Sequence, residues 1–384
     1  MRFSRIRLTN WKNFTSVDVN LPERAFLIGP NASGKSNFLD AFRFLRDLAA
    51  PGGGLQRACE LRGGVSKIRC LSARPPAGVG IFVELTDDKD IWTYEIVFKQ
   101  QTQFPTKIPI VDKEIVTHNG KAVLSRPDTK DKADDRQLSQ TALEQIFANQ
   151  QFRPIVDHLA DISYLHLIPQ MVREANSAFR DQNLPDVYGG QFLERISRTP
   201  EKTRNARLKR IEDALKIAVP QLKQLSLKPD ERGVPHLEAI YEHWRPKAGR
   251  QDESQFSDGT LRLIGLLWVL QEGSGLLLME EPELSLHKGI VTRLAAFIYR
   301  LQTRKKIPRQ VFISTHSVDL LSDPGIDASE ILVFKPSKNG TTVQPGEEIE
   351  VIKYLMETGL PASEAAIPYT EEPELVQMEF FDLT

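Results

Sequence analysis

The sequence predicts an α/β protein with a mixed or parallel core sheet. Two patterns point there: short apolar runs that alternate with helical periods, and polar, chemistry-bearing residues that follow those runs. Near the start, Val17, Val19 and Leu21 alternate with Asp18 and Asn20, which predicts a half-buried strand. Ala25 to Ile28 is a short apolar run ending at Gly29. Phe38, Ala41, Phe42, Leu45 and Leu48 then recur at spacings of three and four, the period of a helix.

From about 79 to 125 the pattern becomes that of an antiparallel β-subdomain. Trp92, Tyr94, Ile96 and Phe98 share one strand face, and Asn119-Gly120 is a hairpin turn. Ser125 to Gln137 is dense in Asp and Lys and reads as a loop. Residues 137–225 read as mainly helical, broken near Pro154, Pro169, Pro185 and Pro200, with a short strand from Tyr164 to Leu167. After the polar run Pro246 to Gln255 come a helix near Gly259, a strand Leu276 to Met279, a helix at about 285–303, and strands Val311 to Ile313 and Ile331 to Phe334. The expected organisation is an N-terminal lobe at 1–125, a helical insertion at 126–250, a C-terminal lobe at 251–345, and a helix with an acidic-apolar tail at 346–384. No repeat or sustained heptad is present, so no long coiled coil is expected.

Composition is that of a globular chain, with 40% hydrophobic and 26% charged residues. A formal net charge of −1 exerts no global pull on nucleic acid or an anionic membrane. Cys59 and Cys70, with no C-x-x-C, exclude a disulfide framework and argue against a zinc site. No apolar run approaches membrane-spanning length and the N-terminus lacks a signal core, so a cytoplasmic protein without a membrane partner is expected.

Four segments carry chemistry. Gly29-Pro30-Asn31-Ala32-Ser33-Gly34-Lys35-Ser36 fits G-x-x-x-x-G-K-[ST], between a strand and a helix. Such a loop curls so that successive N–H groups face phosphate oxygens, with the helix N-terminus behind them. Lys35 is expected to reach the β- and γ-phosphates and the Ser36 hydroxyl to bind Mg²⁺. Asn37, next along the helix, is included among the nucleotide contacts. Gly275 to Glu283 is an apolar strand ending in the adjacent carboxylates Glu280 and Glu281. One of such a pair can hold a metal shell while its neighbour deprotonates water. Val311 to Ile313 ends in Ser314-Thr315-His316-Ser317. Phe256-Ser257-Asp258-Gly259-Thr260-Leu261-Arg262 opens an apolar helix; on its own it is also a plain helix cap, since capping and phosphate binding use the same geometry.

In this order the four segments resemble those of ABC ATPases, the P-loop NTPases with a head-like fold. GPNASGKS looks like Walker A, SDGTLR like the signature motif, LLLMEEPE like Walker B and STHS like the switch-histidine loop. LTNWKNF ahead of the phosphate loop turns the resemblance toward the RecF, SMC and OLD group. The resemblance implies ATP and Mg²⁺ as ligands, Glu280 as metal support, Glu281 as general base and His316 as a γ-phosphate contact. Ser257 and Gly259 would reach the ATP of the opposite subunit, which implies a homodimer or a higher oligomer.

Asp258 stands where a signature glycine is usual, and Glu280 where Asp is usual; both variants are similar to the OLD-like branch. No residue stands out as the Mg²⁺-sensing glutamine; Gln56 and Gln170 are the candidates. The 68 residues after His316 show no D-x-D pattern, so a fused nuclease is not expected. An ATP-driven dimeric switch acting on a separately encoded effector, a nuclease or toxin of anti-phage or plasmid defence, is therefore the first reading. A RecF-like DNA-repair ATPase is the alternative. Lys202, Arg204, Arg207, Lys209 and Arg210 on a predicted helix could touch DNA phosphates, or form a solvated face. The tail around Glu371, Glu372, Glu374, Leu375, Phe380 and Phe381 could dock on a partner or pack on its own domain.

Overall fold

A computed structural model describes residues 1–73, 78–87, 89–101, 108–174, 188–243, 249–303 and 309–370; the acidic-apolar tail lies outside them. The chain divides into two compact units. The first comprises Met1–Ser163, Ser274–Leu278 and Ile307–Thr384, and the second Tyr164–Gly273 and Met279–Lys306.

The first unit opens with β1 (Arg2–Trp11), β2 (Phe14–Asn20) and β3 (Arg24–Ile28), followed by the helix Lys35–Ala49. Then come β4 (Val79–Thr86), β5 (Ile91–Gln100), β6 (Pro109–His118) and β7 (Lys121–Arg126). Strands β2-β1-β4-β5-β6-β7, in that order, form an antiparallel six-stranded sheet. Trp92, Tyr94, Ile96 and Phe98 are all buried on one face of β5, as their period of two requires. Asn119 and Gly120 turn the β6–β7 hairpin with φ of 49° and 77°.

Ser125–Gln137, expected as a loop, is instead ordered structure. Helix Thr129–Ala133 carries a capping box from Asp128, and a 3-10 turn covers Asp135–Ser139. The reason is the buried Arg126. Its guanidinium bonds Asp131 at 2.8 Å, Glu114 at 3.1 Å and the carbonyls of Gln137 and Gln140 at 2.9 Å. Of the segment's charges, Arg126 and Asp131 are turned inward and paired, while the others stay exposed.

Further along lie β8 (Ser163–Leu165), β9 (Leu222–Pro229), β10 (Pro235–Tyr241), β11 (Arg250–Asp252), β12 (Leu277–Glu280), β13 (Val311–Ser314), β14 (Ile331–Lys335) and β15 (Thr342–Pro345). The core sheet runs β15-β14-β3-β13-β12-β8. It is mixed: β13 and β14 flank β3 in parallel, while β15 is antiparallel to β14. The Lys35–Ala49 helix joins this layer through aromatic edges, Phe42 on Phe312 and Phe38 on Phe334, with ring centroids 5.3 and 5.4 Å apart. All four rings are fully buried, each contributing about 2–3 kcal/mol of burial.

The second unit holds the helices Pro169–Arg173, Phe192–Arg198, Glu201–Ala218 and Asp258–Val269. It also holds a three-stranded antiparallel sheet, β11-β10-β9, absent from the sequence expectation of a mainly helical stretch with a polar run. Its strands are short and half-exposed, and only Leu222, Leu225, Leu237 and Ala239 are buried, so the apolar signal was thin. The helix expected at about 285–303 is split into Lys288–Val291 and Leu294–Thr303, the first capped by His287.

Candidate nucleotide site

In the first unit the phosphate loop leaves the end of β3 and enters the Lys35–Ala49 helix at Gly34. Gly34 has φ of 96°, and a Cβ there would lie 2.1 Å from the Asn13 amide. Only glycine fits that close pass. No side chain caps this helix end, whose positive dipole end faces the loop. The Lys35 ammonium folds back on the carbonyls of Gly29 and Pro30 at 2.9 and 3.1 Å, which draws the loop into a ring. Ser33 is fully buried and its Oγ has no partner among the described residues. Ser36, at the first turn, is exposed, as are Asn31 and Ala32.

The cradle is supported from below by the turn after β1, which no local sequence signal marks for that role. Asn13 donates to the Ser33 carbonyl at 3.0 Å and to Thr341 Oγ1 at 2.8 Å, and accepts from the Asn37 amide at 2.8 Å. Trp11 Nε1 donates to the Asn37 carbonyl at 2.8 Å. Asn37, expected as a nucleotide contact, thus has its side-chain amide on Asn13. Lys12 pairs with Asp40 at 2.6 Å. Burial pushes the Asp40 carboxyl up, but Arg62, Lys12 and Arg43 more than offset this and hold it at about 2.

His316 follows β13, whose Ser314 stands opposite Leu27 of β3; the Thr315 N–H donates to the Leu27 carbonyl at 3.2 Å. The parallel pairing therefore brings His316, expected as a γ-phosphate contact, to the sheet end that bears the phosphate loop. His316 itself is exposed. Gln56 donates to the carbonyls of Pro109 and Ser139 at 2.9 and 3.0 Å, which gives it a structural task, and Gln170 is exposed on its helix.

The second unit holds the remaining expected residues. Glu280 ends β12 and accepts a hydrogen bond from the Tyr164 hydroxyl, a partner the sequence did not reveal because it comes from β8, 116 residues away. Glu281 has φ of 44°, a left-handed backbone that a non-glycine residue adopts at a cost of about 1–3 kcal/mol. Ser257 caps the Asp258–Val269 helix, accepting from the Thr260 N–H at 3.2 Å. Gly259 passes so near Ser285 that a Cβ would lie 2.5 Å from its carbonyl oxygen.

A glycine-rich loop between strand and helix, on a mixed sheet whose neighbouring parallel strand leads to His316, has the build of a P-loop nucleotide-binding head. The chain belongs to the family described as "AAA domain, putative AbiEii toxin, Type IV TA system", which matches residues 24–323. It is also similar to the endonuclease GajA of Bacillus cereus (strain VD045), with 47% identity over 47 residues, 12% of this chain and 8% of GajA. The match thus spans a small part of that relative's length. Among solved structures it resembles the Smc head bound to the C-terminal winged-helix domain of ScpA, with 13% identity, TM-score 0.53, and 90% and 98% of the two chains covered. The Pyrococcus furiosus Smc head with an extended coiled coil, bound to the C-terminal domain of ScpA, gives 13% identity, TM-score 0.51, and coverage of 93% and 99%. These two likenesses show the fold.

No helix among the described residues is long and apolar enough to cross a membrane.

Proposed function

We propose that this protein binds ATP with Mg²⁺ at Gly29–Ser36, hydrolyses it in a site completed by Ser257 and Gly259 of a second copy, and uses the resulting dimer to control a separate effector. The observation that carries the reading is the helix end without a side-chain cap and its ring of Gly29, Pro30 and Lys35, which puts a lysine cation at a helix N-terminus.

In this reading Lys35 exchanges its two carbonyl partners for the β- and γ-phosphates. Ser36 and Glu280 would hold the metal, Glu280 being oriented by Tyr164. Bound Mg²⁺ supplies neutralisation of charge on the β- and γ-phosphates. Glu281 takes the proton of the attacking water, its left-handed backbone setting the carboxylate's direction, and His316 contacts the γ-phosphate.

Family membership and the short GajA match support an effector of the nuclease or toxin class and a place in defence. The DNA-repair alternative draws little from the basic helix. Arg207 pairs with Glu272, Lys209 with Glu212 and Asp213, and Arg204 with the Ser197 carbonyl.

Glu281→Gln is the test. It is expected to lower hydrolysis by about 100-fold or more while trapping an ATP-bound dimer in sedimentation velocity. Hydrolysis at the parent rate would remove Glu281 as the base.

A further inference from the structure

Within the second unit, Asp258 poses an electrostatic problem. It stands between Ser257 and Gly259, in a loop whose proposed task is to receive a phosphate, and a carboxylate there repels that anion. The structure places a cation against it. Arg173 ends the short helix begun by Pro169, anchored by the fully buried Val172. One nitrogen, Arg173 Nη2, lies 2.6 Å from Asp258 Oδ1 and 2.7 Å from the Phe256 carbonyl oxygen. The two residues that flank Ser257 are therefore held by a single guanidinium nitrogen. From the other side Gly259 is pressed against the Ser285 backbone.

The nearby Arg262 does not substitute for this contact. Burial lowers its guanidinium from the ordinary value, while Asp258, Glu281 and Glu283 raise it, so its field is spread over three carboxylates. Arg173 makes the direct, charge-assisted bond, and its planar donor set suits a carbonyl and a carboxylate side by side.

We propose that Arg173 is a positioning residue for the shared site: it fixes Ser257 from both flanks and cancels the charge of Asp258, so that the signature loop can accept the γ-phosphate of ATP held by a second copy. This rests on the shared-site reading above. It also explains how the loop accommodates an acid where a glycine is usual: the acid comes with its counter-ion, 85 residues earlier in the chain.

The test uses the full chain in the Glu281→Gln background with ATP and Mg²⁺, following the monomer–dimer equilibrium by sedimentation velocity. Arg173→Ala is expected to weaken dimerisation about tenfold, one decade in the equilibrium constant. Adding Asp258→Gly to Arg173→Ala removes the stranded carboxylate and is expected to restore dimerisation to within about threefold of the parent. A purely structural Arg173 would not be rescued in this way. Parent-like dimerisation of Arg173→Ala, or no restoration by Asp258→Gly, overturns the proposal. If Arg173→Ala does not fold, Arg173→Gln carries the same expectation, because it retains length and a donor but not charge. If the Glu281→Gln parent itself stays monomeric with ATP, the shared-site reading fails and takes this proposal with it. A dimer that forms regardless of Arg173 sinks the proposal alone.

Discussion

Two helices in this protein begin at loops whose sequences suggest phosphate, and they begin differently. The Lys35–Ala49 helix starts at Gly34 with no side-chain cap, over a cradle held by Asn13, Trp11 and a buried ion cluster. The Asp258–Val269 helix is capped by its own Ser257, and its loop is steadied by the half-exposed Arg173–Asp258 pair. A helix end without a side-chain cap leaves that place to an external anion, whereas a capped end keeps its own acceptor until a better one displaces the cap. Under the proposed function, the first acts as a standing anchor and the second as a surface that engages a second copy.

The largest effect expected from breaking this contrast comes at Lys35. Lys35→Ala should lower ATP affinity about 100-fold in equilibrium titration, because it removes both the ring closure and the phosphate cation. Parent-like affinity would mean that the cradle is not the anchor.

Next in size is the ion cluster under the same helix. Asp40 meets Arg62 at 2.9 Å and Lys12 at 2.6 Å, nearly out of solvent. Asp40→Asn, which leaves the buried Arg62 only Asp47 as a carboxylate partner, should destabilise the chain by about 3 kcal/mol in urea unfolding. The folded carboxyl lies at about 2, below its ordinary 3.8, so its contribution is complete above pH 3.8 and is lost as pH falls through 2. In Asp40→Asn the acid side of the stability curve should flatten over that window; an unchanged slope would show that Asp40 is not the group titrating.

The capped helix should respond more mildly. Ser257→Ala is expected to cost about 1 kcal/mol of unfolding free energy, the usual loss of a cap. A loss as large as that of Asp40→Asn would erase the distinction drawn between the two ends. Smallest of all, Lys209→Ala should change stability by less than about 0.5 kcal/mol, since its ammonium is exposed, its pair with Asp213 is open to solvent and Glu212 keeps Lys216 as a partner. A large fall in DNA affinity for that variant, measured by fluorescence anisotropy, would revive the DNA-repair alternative.

How much was legible beforehand depended on the range of the interaction. Gly29 to Ser36, the apolar strand before Glu280 and Glu281, and the strand before His316 are contiguous signals, and the structure has those elements within a residue or so of where periodicity put them. The hairpin at Asn119-Gly120 was readable for the same reason. Asn13 was within view as part of LTNWKNF, but nothing local says that its amide lies under Gly34. Arg126, Tyr164 and Arg173 were opaque: each looks like an ordinary loop, strand or surface residue until its partner is known.

The sequence by itself determined the class of protein, because a phosphate loop between strand and helix is a chemical requirement written at fixed local spacing, Gly29 to Ser36. It also marked Asp258 and Glu280 as departures. Only the tertiary structure decided how those departures are accommodated, Asp258 by Arg173 and Glu280 by Tyr164. It likewise decided that the bare helix end rests on Asn13. The physical reason is that charge neutralisation and hydrogen-bond satisfaction act across space, between residues about 20, 85 and 116 positions apart, where periodicity carries no information.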